Sequence, residues 1–212
     1  MTVILNFMYI SNYYRQEDLS KVADFIHEHD FATLVLSQDG VPVASHLLVD
    51  FETDSDGTWL INGHMARANK LWRAFDSAKE VLMIFGGPNT YISATWYNHL
   101  NVPTWNYIAV HLYGTPRVID GGQELQNVLS RLVKRYETKT DYSLESIPQD
   151  FVEKTMRGAV GFQVRVTRVE ANFKLSQNRD GEDHATIIRQ LEARGDEQSV
   201  AIANEMRKNS KA

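Results

Sequence analysis

The chain has 212 residues, 43% hydrophobic and 23% charged. That is a globular composition, long enough for one large domain with its own core. It has no cysteine, which excludes a disulfide framework, a thiolate nucleophile and any Cys-ligated metal or cluster. Its formal charge of −5 lacks the overall basic excess that phosphate neutralisation asks of a nucleic-acid-binding domain, which leaves only a local basic patch open.

Met1 to Ile10 is apolar but short. It has no basic n-region or small-residue cleavage site, so no signal peptide is expected. Met8 is an alternative start, which would leave the seven residues before it as a tail or an edge-strand extension. No apolar run reaches the roughly 18 residues needed to span a bilayer, and a cytoplasmic location is expected. Residues 16–29 predict a helix with Leu19, Val22, Ala23 and Ile26 on one face and Asp18 near its start, where a carboxylate suits the helix dipole. Phe31 to Ser37 predicts a strand. Asp39-Gly40 then signals a hairpin turn into a second strand, Val41 to Phe51, with Pro42 at its start. A turn at residues 54–57 leads to a strand over Thr58 to Asn62, so this part of the chain reads as an antiparallel meander.

A short helix is expected over Ala66 to Phe75, with Leu71, Trp72 and Phe75 inward. Strands follow at Glu80 to Phe85 and Thr90 to Trp96, separated by a turn at Gly86-Gly87-Pro88-Asn89. Trp105 to Ile119 predicts a long strand, with Gly114 a bulge or a point of close approach. Gln123 to Tyr136 has the clearest helical spacing, carried by Leu125, Val128, Leu129, Leu132, Val133 and Tyr136. Its Arg131, Lys134 and Arg135 read as a solvated face. Residues 143–156 predict a loop and a short helix with Pro148 in its first turn. Ala159 to Phe173 alternates as a strand, and two charged helices divided by Gly195 end the chain.

Six or seven strands joined mostly by hairpin turns, with four or five helices, favour a mainly β, α+β architecture. The expected form is an antiparallel barrel with peripheral helices. One domain is expected over residues 1–212, with 183–212 a helical appendage that looks detachable.

Three segments carry candidate chemistry. Gly63-His64-Met65-Ala66-Arg67-Ala68-Asn69 is read as leaving a strand and opening a helix, where Arg67 and free N–H groups suit a phosphate; a solvated surface corner is the alternative. Val102-Pro103-Thr104-Trp105-Asn106-Tyr107 places aromatic faces beside an amide, suited to a planar ligand or to capping a barrel rim. Phe173-Lys174-Leu175-Ser176-Gln177-Asn178-Arg179 is dense in donors where the last strand ends, and it either closes over a ligand or turns into the tail. The histidines show no metal-ligand spacing. Ser45 and His46 are adjacent in a strand and point to opposite faces, so they form no Ser–His couple. No carboxylate pair marks a general acid and base, and no catalytic residue stands out.

At these segments, and at Phe31-Ala32-Thr33-Leu34, Tyr91-Ile92-Ser93 and Trp96-Tyr97, the chain resembles the PaiB-type negative transcriptional regulators. These are a branch of the FMN-binding split-barrel superfamily, and the resemblance spans roughly Met8 to Leu191. It implies an antiparallel split β-barrel that forms a homodimer with an FMN site at the subunit interface. By the same resemblance, His46 and Leu47 lie beside the isoalloxazine ring, and His64, Arg67 and Asn69 hold the phosphate end. Trp105 and Asn106 come from the rim or the partner, and Lys174, Ser176 and Gln177 close the site. The loop differs from the basic Ser-Arg-Lys loop of the superfamily's pyridoxamine phosphate oxidases.

The function expected is therefore that of an FMN-binding negative transcriptional regulator. Flavin-dependent oxidoreductase activity in the pyridoxamine-phosphate-oxidase-like superfamily is the alternative, since the same site would serve and the flavin carries the chemistry. A haem-binding split barrel with His46, His64 or His111 as axial ligand ranks lower, as does an interaction module with an empty pocket. The partners expected are a second copy of the chain and a flavin nucleotide, with no membrane. No helix-turn-helix is evident, so DNA contact would come from a local basic face of the dimer, or repression would be indirect.

Overall fold

The computed structural model describes residues 8–209; the reading of residues 1–7 as a tail or edge strand lies outside them. Six strands, β1 (Phe31–Gln38), β2 (Val41–Thr53), β3 (Trp59–Ala66), β4 (Val81–Ile92), β5 (Thr104–Ile119) and β6 (Ala159–Lys174), are accompanied by five helices. These are α1 (Leu19–Glu28), α2 (Gly122–Tyr136), α3 (Gln149–Met156), α4 (Gly181–Arg194) and α5 (Glu197–Lys208). The strands form an antiparallel sheet that closes in a ring in the order β1-β2-β3-β6-β5-β4. The expected mainly β barrel with peripheral helices is therefore present.

Local sequence explains the meander. Asp39 and Gly40 both take positive φ, 52° and 79°, as a two-residue turn matched to strand twist requires. The turn pairs Gln38 with Val41 and Ser37 with Pro42, which confines the proline to the start of its strand.

Several expectations are corrected. β3 continues through Gly63, His64 and Met65, which pair with Phe162, Gly161 and Val160 of β6, so Gly63 opens no helix. The helix expected over Ala66 to Phe75 shrinks to a 3-10 turn over Lys70–Ala74. Gly63 is needed because the Phe162 ring fills the space a side chain would take: a Cβ there would stand 2.6 Å from it. Gly86-Gly87-Pro88-Asn89 is not a turn but the middle of β4. Gly87 lets the Phe25 ring approach to 2.6 Å of where its Cβ would be. The strand expected over Thr90 to Trp96 stops at Ile92, and Ala94–Trp96 is a 3-10 turn. In α1 the buried residues are Val22, Phe25 and Ile26, whereas Leu19 is exposed. Pro148 precedes α3 as its N-cap rather than lying in its first turn. Gly114 is a point of close approach, to the Arg165 carbonyl.

The chain divides into two compact units. The first comprises residues up to Phe25, Gly86–Val110 and Glu170 onward. Its interior holds Phe25, Ile108, Phe173, Ile187, Leu191, Ile202 and Met206. α4 and α5, the segment that looked detachable, belong to it. Asp180 and Asp196 cap them by accepting from the Asp183 and Ser199 N–H groups, and Gly195 ends α4 in the left-handed conformation. Gln198 accepts from the Asn89 N–H and Arg194 donates to Thr90 and to the Tyr91 carbonyl.

The second unit comprises Ile26–Phe85 and His111–Val169. Its interior holds Leu34, Val49, Ile61, Phe75, Met83, Phe85, Phe162 and Val164. α2 adds a cluster of Leu125, Val128 and Leu132 with Ile119 of β5. Gly161 permits that approach, since its Cβ would meet the Leu125 side chain at 2.9 Å. The basic residues of α2 are solvent-accessible, as expected, and each is also paired with an acid. Arg131 pairs with Asp50 at 2.7 Å and with Glu52, Lys134 with Glu145, and Arg135 with Asp30.

Candidate functional site

In the second unit the candidate residues gather where β2 and β3 lead into the 3-10 turn. Leu47 points into the core and His46 outward, as strand alternation dictates. The His46 Nδ1 shares a hydrogen bond of 2.9 Å with the Thr33 hydroxyl on the neighbouring strand, and its ring stacks beside Phe31. Ser45 has a different partner: its hydroxyl accepts from Asn69 Nδ2 at 2.8 Å. The other end of the Asn69 side chain accepts from the Leu71 N–H and so caps the 3-10 turn. His64 is half-buried on β3, and its Nδ1 is a buried atom with no hydrogen-bond partner among the described residues. Burial pushes its pKa down, which keeps the imidazole neutral.

Arg67 follows β3. Its Nε donates to the Arg157 carbonyl at 2.9 Å, and its Nη2 donates to the Ala159 carbonyl at 3.0 Å and to the Asp120 carboxylate at 2.6 Å. Nη1 has no hydrogen bond among the described residues. The pair lies at a cleft of about 530 Å³ lined by Gly121, Gly122, Gln126, Gln149 and Arg157, among others. Sequence reading missed Asp120. The signal was Asp120-Gly121-Gly122, two glycines of positive φ that bring the end of β5 round to the start of α2.

The other candidates belong to the first unit. Asn106 is fully buried and exchanges hydrogen bonds with Ser176, donating at 3.0 Å and accepting at 3.2 Å. Trp105 is 48% exposed, donates from Nε1 to Asn89 Oδ1 at 3.1 Å and meets Tyr91 edge to face. Lys174 donates to the Thr104 hydroxyl at 2.7 Å. Gln177 folds back on its own segment, donating to the Phe173 carbonyl and accepting from the Leu175 N–H. Ser176 takes a positive φ of 63°, a conformation uncommon outside glycine. The structure thus joins Ser45 with Asn69 and Asn106 with Ser176.

The donor set of the second unit suits a flavin nucleotide. The unpartnered Nδ1 of His64 can bond a ring or ribityl oxygen, His46 and Phe31 offer ring faces, and the Arg67 Nη1 is available to an anionic oxygen.

Comparisons with known proteins point the same way. The family model described as "Putative FMN-binding domain" matches residues 8–168. Over 187 residues the chain is 37% identical to "Protease synthase and sporulation protein PAI 2" of Bacillus subtilis (strain 168), covering 87% of this chain and 89% of that one. The structure of the flavocytochrome Anf3 from Azotobacter vinelandii matches with a TM-score of 0.59 at 16% identity, covering 84% of this chain and 78% of that chain. The FAD and heme binding protein from Mycobacterium smegmatis matches with a TM-score of 0.58 at 16% identity, covering 86% and 80%. At such identity these two likenesses concern the fold alone.

Proposed function

The chain belongs to the FMN-binding domain family, and on that premise we propose that this flavin-binding protein of split-barrel fold is an FMN-binding negative transcriptional regulator. It acts as a cytoplasmic homodimer with the flavin at the subunit interface. The observation that carries this reading is the extent of the family match. Residues 8–168 include His46, Leu47, His64, Arg67, Asn69, Trp105 and Asn106.

His64 and His46 orient the ring system, and Asn69 and the Arg67 Nη1 face the polar end. The bound flavin supplies the redox chemistry. The regulatory role draws on the Bacillus relative, whose name ties it to protease synthesis and sporulation. The dimer draws on exposed aromatic surface, including Trp105 at 48% and Tyr91 at 42%. The basic residues of α2 are paired with acids of the chain, so any DNA contact is made by another face. Among the described residues no helix is long and apolar enough to cross a membrane.

The test is a titration of ligand-stripped protein with FMN, followed by flavin fluorescence, beside Arg67→Ala. Saturable binding that the variant weakens tenfold or more, about 1.4 kcal/mol, is expected. Absence of binding by the parent protein would overturn the flavin assignment. Promoter DNA retarded with a steep salt dependence supports the regulator. Bleaching of the bound flavin by NAD(P)H without any DNA binding would replace it with an oxidoreductase.

A further inference from the structure

In the first unit two cations, Lys174 and Arg179, stand against hydroxyl and ring groups with no ion pair to an acid among the described residues. Many arginines here have an acidic partner: Arg67 has Asp120, Arg117 has Glu124, Arg131 has Asp50, Arg135 has Asp30, Arg165 has Asp54 and Asp56, Arg168 has Glu80, and Arg207 has Glu192. In an acidic chain with 27 Asp and Glu that is the expected pattern. Lys174 and Arg179 lack such a partner, as do Arg189 and Arg194, which donate to uncharged groups instead. Lys174 Nζ donates to the Thr104 hydroxyl at 2.7 Å and stands 5.9 Å from the centre of the Tyr14 ring. The Arg179 guanidinium lies over the Tyr97 ring at 4.7 Å. Among the described residues neither side chain meets a carboxylate.

A second observation is independent of the charges. Tyr97 is 8% exposed, and its hydroxyl is a buried atom with no hydrogen-bond partner among the described residues. Buried hydroxyls in folded proteins nearly always find partners, so an orphan on the ring that Arg179 covers marks a place where a ligand completes the bonding. Tyr14 sits among the same groups, within electrostatic reach of both Arg179 and Tyr97.

We infer that Lys174 and Arg179, with the hydroxyls of Tyr14, Tyr97 and Thr104, form a binding site for a phosphate monoester. A phosphate monoester carries close to two negative charges near neutral pH and presents three strong acceptor oxygens. Two cations and three hydroxyls match that charge and that number of acceptors better than they match a single carboxylate. Arg179 supplies a planar fork of donors and Lys174 a compact charge. Burial and the nearby Arg179 both hold the Lys174 pKa below its usual value, a like-charge proximity that a bound dianion relieves. The positive φ of Ser176 and the bonds of Gln177 to Phe173 and Leu175 turn the chain so that β6 delivers Lys174 and the following loop delivers Arg179.

Two sources of the phosphate are to be told apart: the flavin nucleotide itself, in which case this inference rests on the FMN reading above but assigns its phosphate to Lys174 and Arg179 in place of Arg67, or a separate phosphate ester. The full chain, stripped of ligand, is followed by thermal unfolding in sodium phosphate against sodium chloride at matched ionic strength. It is also titrated with FMN and with riboflavin. The variants are Lys174→Gln, Arg179→Gln and Tyr97→Phe, the last chosen because it removes one hydroxyl and conserves volume.

Phosphate is expected to raise the Tm of the parent protein and to lose that effect in Lys174→Gln and Arg179→Gln. Tyr97→Phe reduces it. If FMN binds the parent at least tenfold tighter than riboflavin and Arg179→Gln brings the ratio near one, the occupant is the flavin's phosphate. If the ratio is unchanged while the phosphate shift disappears, the occupant is a separate ester. If no flavin binds and the phosphate shift persists in the parent, the FMN reading falls and this site stands. The inference is overturned if phosphate gives the parent no shift and Arg179→Gln leaves the FMN-to-riboflavin ratio unchanged, or if all three variants respond to phosphate as the parent does.

Discussion

Arg67 and Asp120 hold each other at 2.6 Å, fastening the end of β3 to the corner between β5 and α2. The same guanidinium donates to the carbonyls of Arg157 and Ala159, so one side chain ties three segments of the second unit. The pair is 37% and 60% exposed, and solvent screening limits its contribution to stability to about 1 kcal/mol at most. Asp120→Asn releases the guanidinium from its carboxylate without removing it. Where Arg67→Ala weakens FMN, Asp120→Asn is expected to preserve or strengthen binding. Fluorescence titration of both variants checks this, and an equal loss in both would make Arg67 a fastener alone.

The Asn106–Ser176 pair is a matter of stability. Both residues are buried and bonded to each other. Asn106→Ala strands the Ser176 hydroxyl, with an expected loss of about 1–3 kcal/mol. Adding Ser176→Ala should cost little more, because the stranded group is gone. Urea unfolding of the two singles and the double gives the coupling.

At Gly63 the expectation is overpacking. A methyl group there meets the Phe162 ring at 2.6 Å, and Phe162 is itself fully buried. Gly63→Ala should destabilise by about 1–3 kcal/mol. Combined with Phe162→Leu, it should be less damaging than the sum of the two singles, as read by thermal unfolding.

His64 ties stability to pH. Burial lowers its folded-state pKa, so the unfolded chain binds the proton more readily. Stability from this group is complete above the ordinary histidine value, about 6.5, and is lost as pH falls from there through the folded pKa. His184 is lowered by burial in the same direction. The urea midpoint should therefore drop between pH 7.5 and 5.5, on the order of the range these two groups titrate. His64→Gln should drop less steeply.

Elements with unbroken periodicity were legible in the sequence. β1, β2, α2 and β6 lie within a few residues of where alternation and helical spacing put them, because burial on one face imposes those periods directly. Glycine was the main source of error. Gly63 and Gly87 read as breaks, yet each sits inside a strand because an aromatic ring fills the space above it. Phe162 and Phe25 are distant in sequence from the glycines they crowd, so no local pattern announces the need. The same blindness hid Asp120. Asn106 and Ser176 were recognisable as notable polar residues, but not as partners 70 positions apart.

The order of the ring has a consequence for how the protein is made. β6 lies between β3 and β5, and Ala66 waits for Ala159 to pair with it. During synthesis, β3 and β5 each carry an open row of backbone donors and acceptors until the last quarter of the chain has emerged. Such edges recruit strands from other chains, and closure that depends on distant segments is slow. A nascent chain that stalls, or one cut short, before Lys174 is therefore prone to association with its own kind, whatever the stability of the finished fold.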